Sequence, residues 1–317
     1  MHAQKMYRDL VKMGKLTNTL MNEVKCEKPA RSMVIIGMNF NSIKKACFLA
    51  KSKAKKYQRK LAKIRNSGEA TSKELQKVVG YLVYAAWVMP FGRPFISQIS
   101  YLINTKNISR KVCLNPPALL ACDIWLFLLK ENHGLTFDFI LGKLPRHKNE
   151  WFVDASGLGY GGVCGTAFFK ISHPELLEFK KSPIQSIFNN IFIAYRELLA
   201  VLLAFQAFAR FAPKSYIRIN SDSSNVVSWV NKGRCSKKLG FLLLSSIEAF
   251  KFKYGLKVKA FYIKSKHNTS ADALSRGKTP DWLRWRGDKQ VINENELTEV
   301  LTNPLPFWKT DKNYHPF

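Results

Sequence analysis

Acids are scarce in this chain, with 22 Asp+Glu against 51 Lys+Arg, and four of them stand where chemistry is possible. Asp154 closes the apolar run Trp151-Phe-Val-Asp, and Glu197 falls in the first turn of a long apolar helix pattern. Asp222 follows the β-type run Tyr216–Asn220, and Asp272 opens a short helix pattern near the end. Taken singly, Asp222 and Asp272 suit helix caps and Glu197 a favourable first-turn charge. Asp154 fits less easily, because a carboxylate within an apolar strand costs free energy unless it is paired or metal-bound. Brought together, the four would repel and raise one another's pKa values. A divalent, oxygen-seeking cation removes that conflict, and an all-oxygen donor set suits Mg²⁺ or Mn²⁺. Two such ions about 4 Å apart serve in-line phosphodiester hydrolysis.

The elements that must carry these acids are legible from periodicity. Strands are expected at 151–154, 163–169, 216–220 and 258–263, with a less defined one between Leu176 and Ile193. Gly157, Gly159, Gly161 and Gly162 lie where a backbone must turn or be approached closely. Helices are expected at 194–212, 223–231, 238–252 and 270–276. The order β-β-(β)-α-β-α-α-β-α makes an α/β layered domain whose carboxylates sit at strand ends and helix starts, where such sheets gather ligands.

Upstream the chain reads differently. Residues 1–150 carry 27 basic and 9 acidic side chains and are mainly helical in pattern. Met33 to Phe40 fits a strand. From Lys44 to Arg65 there are ten Lys/Arg and no acid, with Tyr57, Leu61 and Ile64 at helical spacing. Such a basic helix face, with Lys51, Lys55, Lys56, Arg59 and Lys60 outward, suits phosphate contact. Ser72 caps a helix reaching about Trp87, and further helices are expected at 94–104 and 116–132. An Asn293–Glu299 helix would lie in the C-terminal tail.

Composition bounds the function. A formal net charge of +29 implies a polyanionic partner, nucleic acid before membrane. The longest uncharged apolar run, Val78 to Gly92, has 15 residues and contains Pro90, short of the ~20 of a spanning helix. No secretory h-region opens the sequence. Six cysteines without Cys-x-x-Cys spacing read as reduced thiols of an intracellular protein, cytoplasmic or nuclear, with neither a zinc site nor a disulfide frame.

The segments Phe152-Val-Asp154-Ala-Ser-x-x-Gly159, Arg196-Glu197-Leu-Leu-Ala, Asn220-Ser-Asp222-Ser and Asn268-Thr-Ser-Ala-Asp272-Ala-Leu-Ser-Arg276 resemble the ribonuclease H domain of retrotransposon reverse transcriptases. The last segment is the most specific of the four. Upstream, Ile36–Ser42 resembles the closing hairpin of a reverse-transcriptase palm, Lys44–Arg65 its thumb, and Glu74–Pro94 the thumb-to-connection helices. Val88-Met-Pro-Phe-Gly-Arg-Pro94 is most similar to elements of the DIRS type, an LTR-type element being the other assignment. The resemblance implies a palm remnant over 1–43, a basic thumb/connection region over 44–150, a ribonuclease H-like domain over 151–285 and a tail over 286–317. It also implies a mixed five-stranded sheet with flanking helices. No Asp-Asp pair occurs anywhere in the chain, so a Tyr-x-Asp-Asp polymerase site is absent and DNA polymerase activity is not expected. The chain resembles the C-terminal portion of a longer polyprotein, and the missing polymerase portion would be a partner.

Carried over residue by residue, the resemblance implies that Asp154 bridges two Mg²⁺ ions, with Mn²⁺ as substitute. Asp272 completes the water-activating site, and Glu197 and Asp222 hold the ion facing the leaving oxygen. The implied activity is endonucleolytic hydrolysis of RNA in an RNA–DNA hybrid, with Ser156, Gly157 and Gly159 near ribose 2′-hydroxyls and Arg276 near phosphate. His267 is a candidate accessory proton carrier, with incidental exposure as the plainer reading; Trp229 is a base-stacking candidate or a core aromatic. The alternative to an active nuclease is a catalytically inactive, nucleic-acid-binding remnant. A DDE-type integrase does not match the Asp-Glu-Asp-Asp order.

Overall fold

A computed structural model describes residues 2–17, 28–104, 107–172, 193–235, 238–292 and 295. Its first elements are α1 (His2–Leu16), then β1 (Ser32–Ile35), β2 (Met38–Asn41) and β3 (Ala46–Leu49). The single strand expected at 33–40 is a hairpin. Ile36 and Gly37 both take positive φ (51° and 79°), the backbone of a tight two-residue turn. The basic helix is α2 (Lys51–Ser67) and not 44–65, because Ala46–Leu49 is buried and pairs with β2. Gly68 ends α2 in the left-handed conformation. Ala54, Tyr57, Leu61 and Ile64 form its buried seam.

β4 (Glu69–Thr71) leads into α3 (Ser72–Ala85), whose cap is Thr71 in a capping box with Glu74. Ser72, expected as the cap, is buried and its hydroxyl accepts from the Asn104 N–H at 3.0 Å. Next come α4 (Arg93–Ser100), β5 (Lys111–Cys113), α5 (Pro116–Glu131), β6 (Leu135–Thr136) and α6 (Phe137–Ile140). Asn132 ends α5 at φ 46°, and its side chain bonds both the N–H and the carbonyl of Leu49 (3.2 and 2.8 Å). That bond ties α5 to the antiparallel sheet β1-β2-β3-β6, while β4 pairs with β5.

The second half is α/β, built on a mixed five-stranded sheet. Its elements are β7 (Trp151–Ala155), β8 (Gly159–Cys164), β9 (Ala167–Ser172), α7 (Ile193–Phe208), β10 (Tyr216–Ser221), α8 (Ser224–Lys232), α9 (Lys238–Tyr254), β11 (Lys257–Tyr262), α10 (Thr269–Ser275) and α11 (Asp281–Arg286). The strand order is β11-β10-β7-β8-β9; β11, β10 and β7 are parallel, while β7, β8 and β9 are antiparallel. The strand expected at 163–169 is broken at Gly165 (φ 63°), and the glycine-rich segment before it is itself strand β8. The third strand is therefore Ala167–Ser172, and 176–192, where it was expected, lies outside the described residues. So does nearly all of the expected 293–299 helix.

Alternation along β7 sends Trp151 and Val153 to one face and Asp154 to the other. Trp151 meets Phe205 and Phe208 of α7 edge-on, at 5.2 and 5.7 Å between centroids. On the opposite face α10 crosses β8 at Gly161, where a Cβ would stand 2.6 Å from Ala271 O, Leu274 Cβ and Ser275 N. One hydrophobic cluster runs through both halves of the chain, from Leu61 and Trp125 to Phe205 and Phe250. Phe252 of α9 packs on Phe91 (5.8 Å) and Phe127 (6.2 Å), and Phe241 on Phe95 (5.8 Å). Among the described residues no helix is long and apolar enough to cross a membrane. The five described cysteines are free; Cys47, Cys122, Cys164 and Cys235 are buried and Cys113 is exposed.

Candidate metal centre

Asp154 is the last residue but one of β7, and Asp222 stands one residue beyond the end of its parallel neighbour β10. Glu197, in the first turn and a half of α7, comes in at the same strand ends. One carboxylate oxygen from each of these three residues lies within 4.8 Å of the others. Asp154 and Glu197 are 4% and 7% exposed, whereas Asp222 is half-buried.

Two hydroxyls set the carboxylate orientations. Ser275 of α10 donates to Asp154 Oδ2 at 2.6 Å, and Ser265, in the turn after β11, donates to Asp222 Oδ2 at 2.6 Å. The Ala155 N–H donates to the Glu197 carboxylate, yet its Oε2 has no hydrogen-bond partner although it is buried. Such an acceptor is costly unless a cation or proton meets it. Burial, then the charges of Asp154 and Asp222, push Glu197 up to about 9. Burial also lifts Asp154 to about 6, with Asp222 and Asp272 adding to the rise; the Ser275 bond and Arg276 oppose it. Compressed, oxygen-only and partly unpaired, this donor set fits a hard divalent cation.

Asp272 does not close on the same point. It is half-buried on the first turn of α10, near enough for its charge to act on Asp154. Its Oδ1 accepts from Arg276 Nε at 2.9 Å, one helical turn on. The expected set of four is thus a group of three with Asp272 alongside, because an i,i+4 guanidinium competes for that carboxylate. Arg276 is exposed and its Nε is engaged there.

Ser156 is turned inward. Its hydroxyl donates to Ser275 O at 2.7 Å and accepts from the N–H groups of Leu158 and Gly159 at 3.0 and 3.3 Å. It braces the β7–β8 turn against α10, and Gly159 is buried in the same turn, which leaves Gly157 exposed. His267 is exposed at the rim of a cavity of about 380 Å³, shared with Lys148, Asn149 and Trp282. Among the described residues no hydrogen bond joins it to the carboxylates. Trp229 stacks on Tyr195 (centroids 5.4 Å, planes 14° apart) and packs against the core. Lys51, Lys55, Lys56, Arg59 and Lys60 are all exposed on α2.

Ser275 and Ser265 were not singled out by the sequence. Ser275 had a signal, standing three residues after Asp272 and so on the same helical face. Ser265 had none, since only the β10–β11 pairing carries it to Asp222.

No protein-family model matches the chain, and none of the curated proteins compared with it matches. The site must therefore be read from its own chemistry.

Proposed function

We propose that this chain is a metal-dependent nuclease of the ribonuclease H type, hydrolysing the RNA strand of RNA–DNA hybrids as part of a retroelement reverse transcriptase. The observation that carries the reading is the convergence of Asp154, Glu197 and Asp222 from three separate elements onto one buried point of a +29 protein. An ordinary core would place apolar groups there. The order of strands and helices and the Asp272 segment agree with the resemblance that the sequence motifs carry.

In this reading Asp154, Glu197 and Asp222 hold Mg²⁺ or Mn²⁺. When bound, such an ion supplies Lewis acidity toward a phosphodiester oxygen and lowers the pKa of bound water. Ser275 and Ser265 fix the carboxylate rotamers before the ion arrives, so little ordering remains to be done. Glu197 releases its proton as the site loads, because a cation offsets the burial that keeps it neutral. Asp272 stands alongside the three, its carboxylate oriented by the Arg276 bond, where it would complete the site that activates water. Exposed cations on α2 would meet the hybrid's backbone.

The test is cleavage of an end-labelled RNA–DNA hybrid with Mg²⁺, against EDTA and against Asp154→Asn. Loss of a bridging carboxylate is worth several kcal/mol, so the expected fall is at least about a hundredfold. Cleavage that persists in EDTA or in Asp154→Asn rejects the proposed site. Salt-sensitive binding without any cleavage favours the non-catalytic remnant.

A further inference from the structure

Trp87 stands out in the first half of the chain. It is 69% exposed, although Ala85, Ala86, Val88 and Met89 around it are 4% exposed or less. The Trp87 N–H bonds Tyr84 O (3.3 Å) and the Val88 and Met89 N–H groups both bond Ala85 O (3.1 and 3.0 Å). This tight turn sinks its neighbours into the core and aims the indole outward. Beside it opens a groove of about 460 Å³ lined by Val83, Trp87 and Ile96 and by Arg93, Lys232 and Arg234. Among the described residues these three cations form no ion pair, and no acid lines the groove.

The walls of the groove are held in place. Lys232 and Arg234 flank Gly233, whose φ of 62° turns the chain down onto α4; a Cβ there would stand 3.2 Å from Pro94 Cγ. On the other side Asn231 makes two 2.9 Å bonds to the main chain of Ala260. An exposed indole, an aliphatic floor and three unpaired cations match a ligand that offers a π-face and repeated negative charge together. Duplex nucleic acid hides its base faces, so a duplex would leave the indole unused.

We infer that this groove binds an unpaired stretch of nucleic acid, with a base stacked on Trp87 and phosphates on Arg93, Lys232 and Arg234. The site is separate from the carboxylates and does not depend on cleavage. A strand held here would be gripped without sequence preference, because every base has a stacking face.

The test uses the full 317-residue chain and fluorescence anisotropy with labelled dT12, rU12 and a 12-bp duplex. Trp87→Ala is expected to weaken single-strand binding by between about 5- and 150-fold, and Trp87→Phe to stay within about threefold of the parent. Duplex binding should not change in either variant. The double variant Arg93→Gln/Arg234→Gln should lower the salt slope for single strands by about 1.4. If dT12 and rU12 lose affinity alike, the groove reads base and phosphate; if only one does, it reads the sugar as well. The inference is overturned if Trp87→Ala leaves single-strand affinity unchanged, weakens duplex equally, or is matched by Trp87→Phe. Trp87 lies at the surface, so none of these variants should unfold the chain, and unchanged melting temperatures check this.

Discussion

Glu197→Gln tests the electrostatics of the centre without using catalysis. Glu197 is buried, and burial and its acidic neighbours push it from the usual 4.5 up to about 9. A carboxyl raised in the fold is neutral there while the unfolded chain ionises near 4.5. Its contribution to stability is therefore highest at low pH and falls as pH rises from about 4.5 to about 9. Each pH unit in that window costs about 1.4 kcal/mol, so two units from pH 6 to pH 8 cost about 2.7 kcal/mol. In a chain of this size that corresponds to a melting-temperature drop of roughly 5 °C. The assay is differential scanning fluorimetry in EDTA at pH 6 and pH 8. The parent should lose about 5 °C more than Glu197→Gln, which has nothing to ionise. Adding Mg²⁺ should reverse the parent's loss, and more at pH 8 than at pH 6, because the ion must displace the proton. Equal pH slopes for the two proteins would refute the claim that Glu197 is buried without a counter-charge.

Two further predictions concern the supports of the centre. Ser275→Ala removes a 2.6 Å bond to the buried Asp154 carboxylate, so Mg²⁺ affinity measured by thermal shift should weaken by roughly tenfold and stability should fall by about 1.5–3 kcal/mol. Gly161→Ala puts a methyl carbon 2.6 Å from main-chain atoms of Ala271 and Ser275, which must push α10 off the sheet. The expected cost is about 1–3 kcal/mol in denaturant unfolding, together with loss of the Mg²⁺-induced shift, since Ser275 and Asp272 move with the helix.

Much of this molecule could be read from its residues. The apolar spacing of Leu198, Val201, Leu202 and Phe205 marks α7, and the β-branched or aromatic runs at 151–154, 216–220 and 258–263 mark the parallel strands to within a residue at each end. Both signals depend on a local period, which neighbouring residues alone define. The acids were visible because the chain has so few and because an aspartate inside an apolar strand is costly. The glycines at 157, 159, 161 and 162 were legible as a place where the backbone turns or is closely approached; that 159–164 is a strand, and that α10, more than a hundred residues on, is what approaches Gly161, was not local information.

Only the tertiary structure decided which acids meet. Distances between Asp154, Glu197 and Asp222 follow from strand order and helix packing, which no local period encodes. The same holds for Ser265, which the β10–β11 pairing carries to Asp222, and for Trp87. The turn after α3, sealed against the core, leaves the indole in solvent beside Arg93 and, from a distant segment, Lys232 and Arg234.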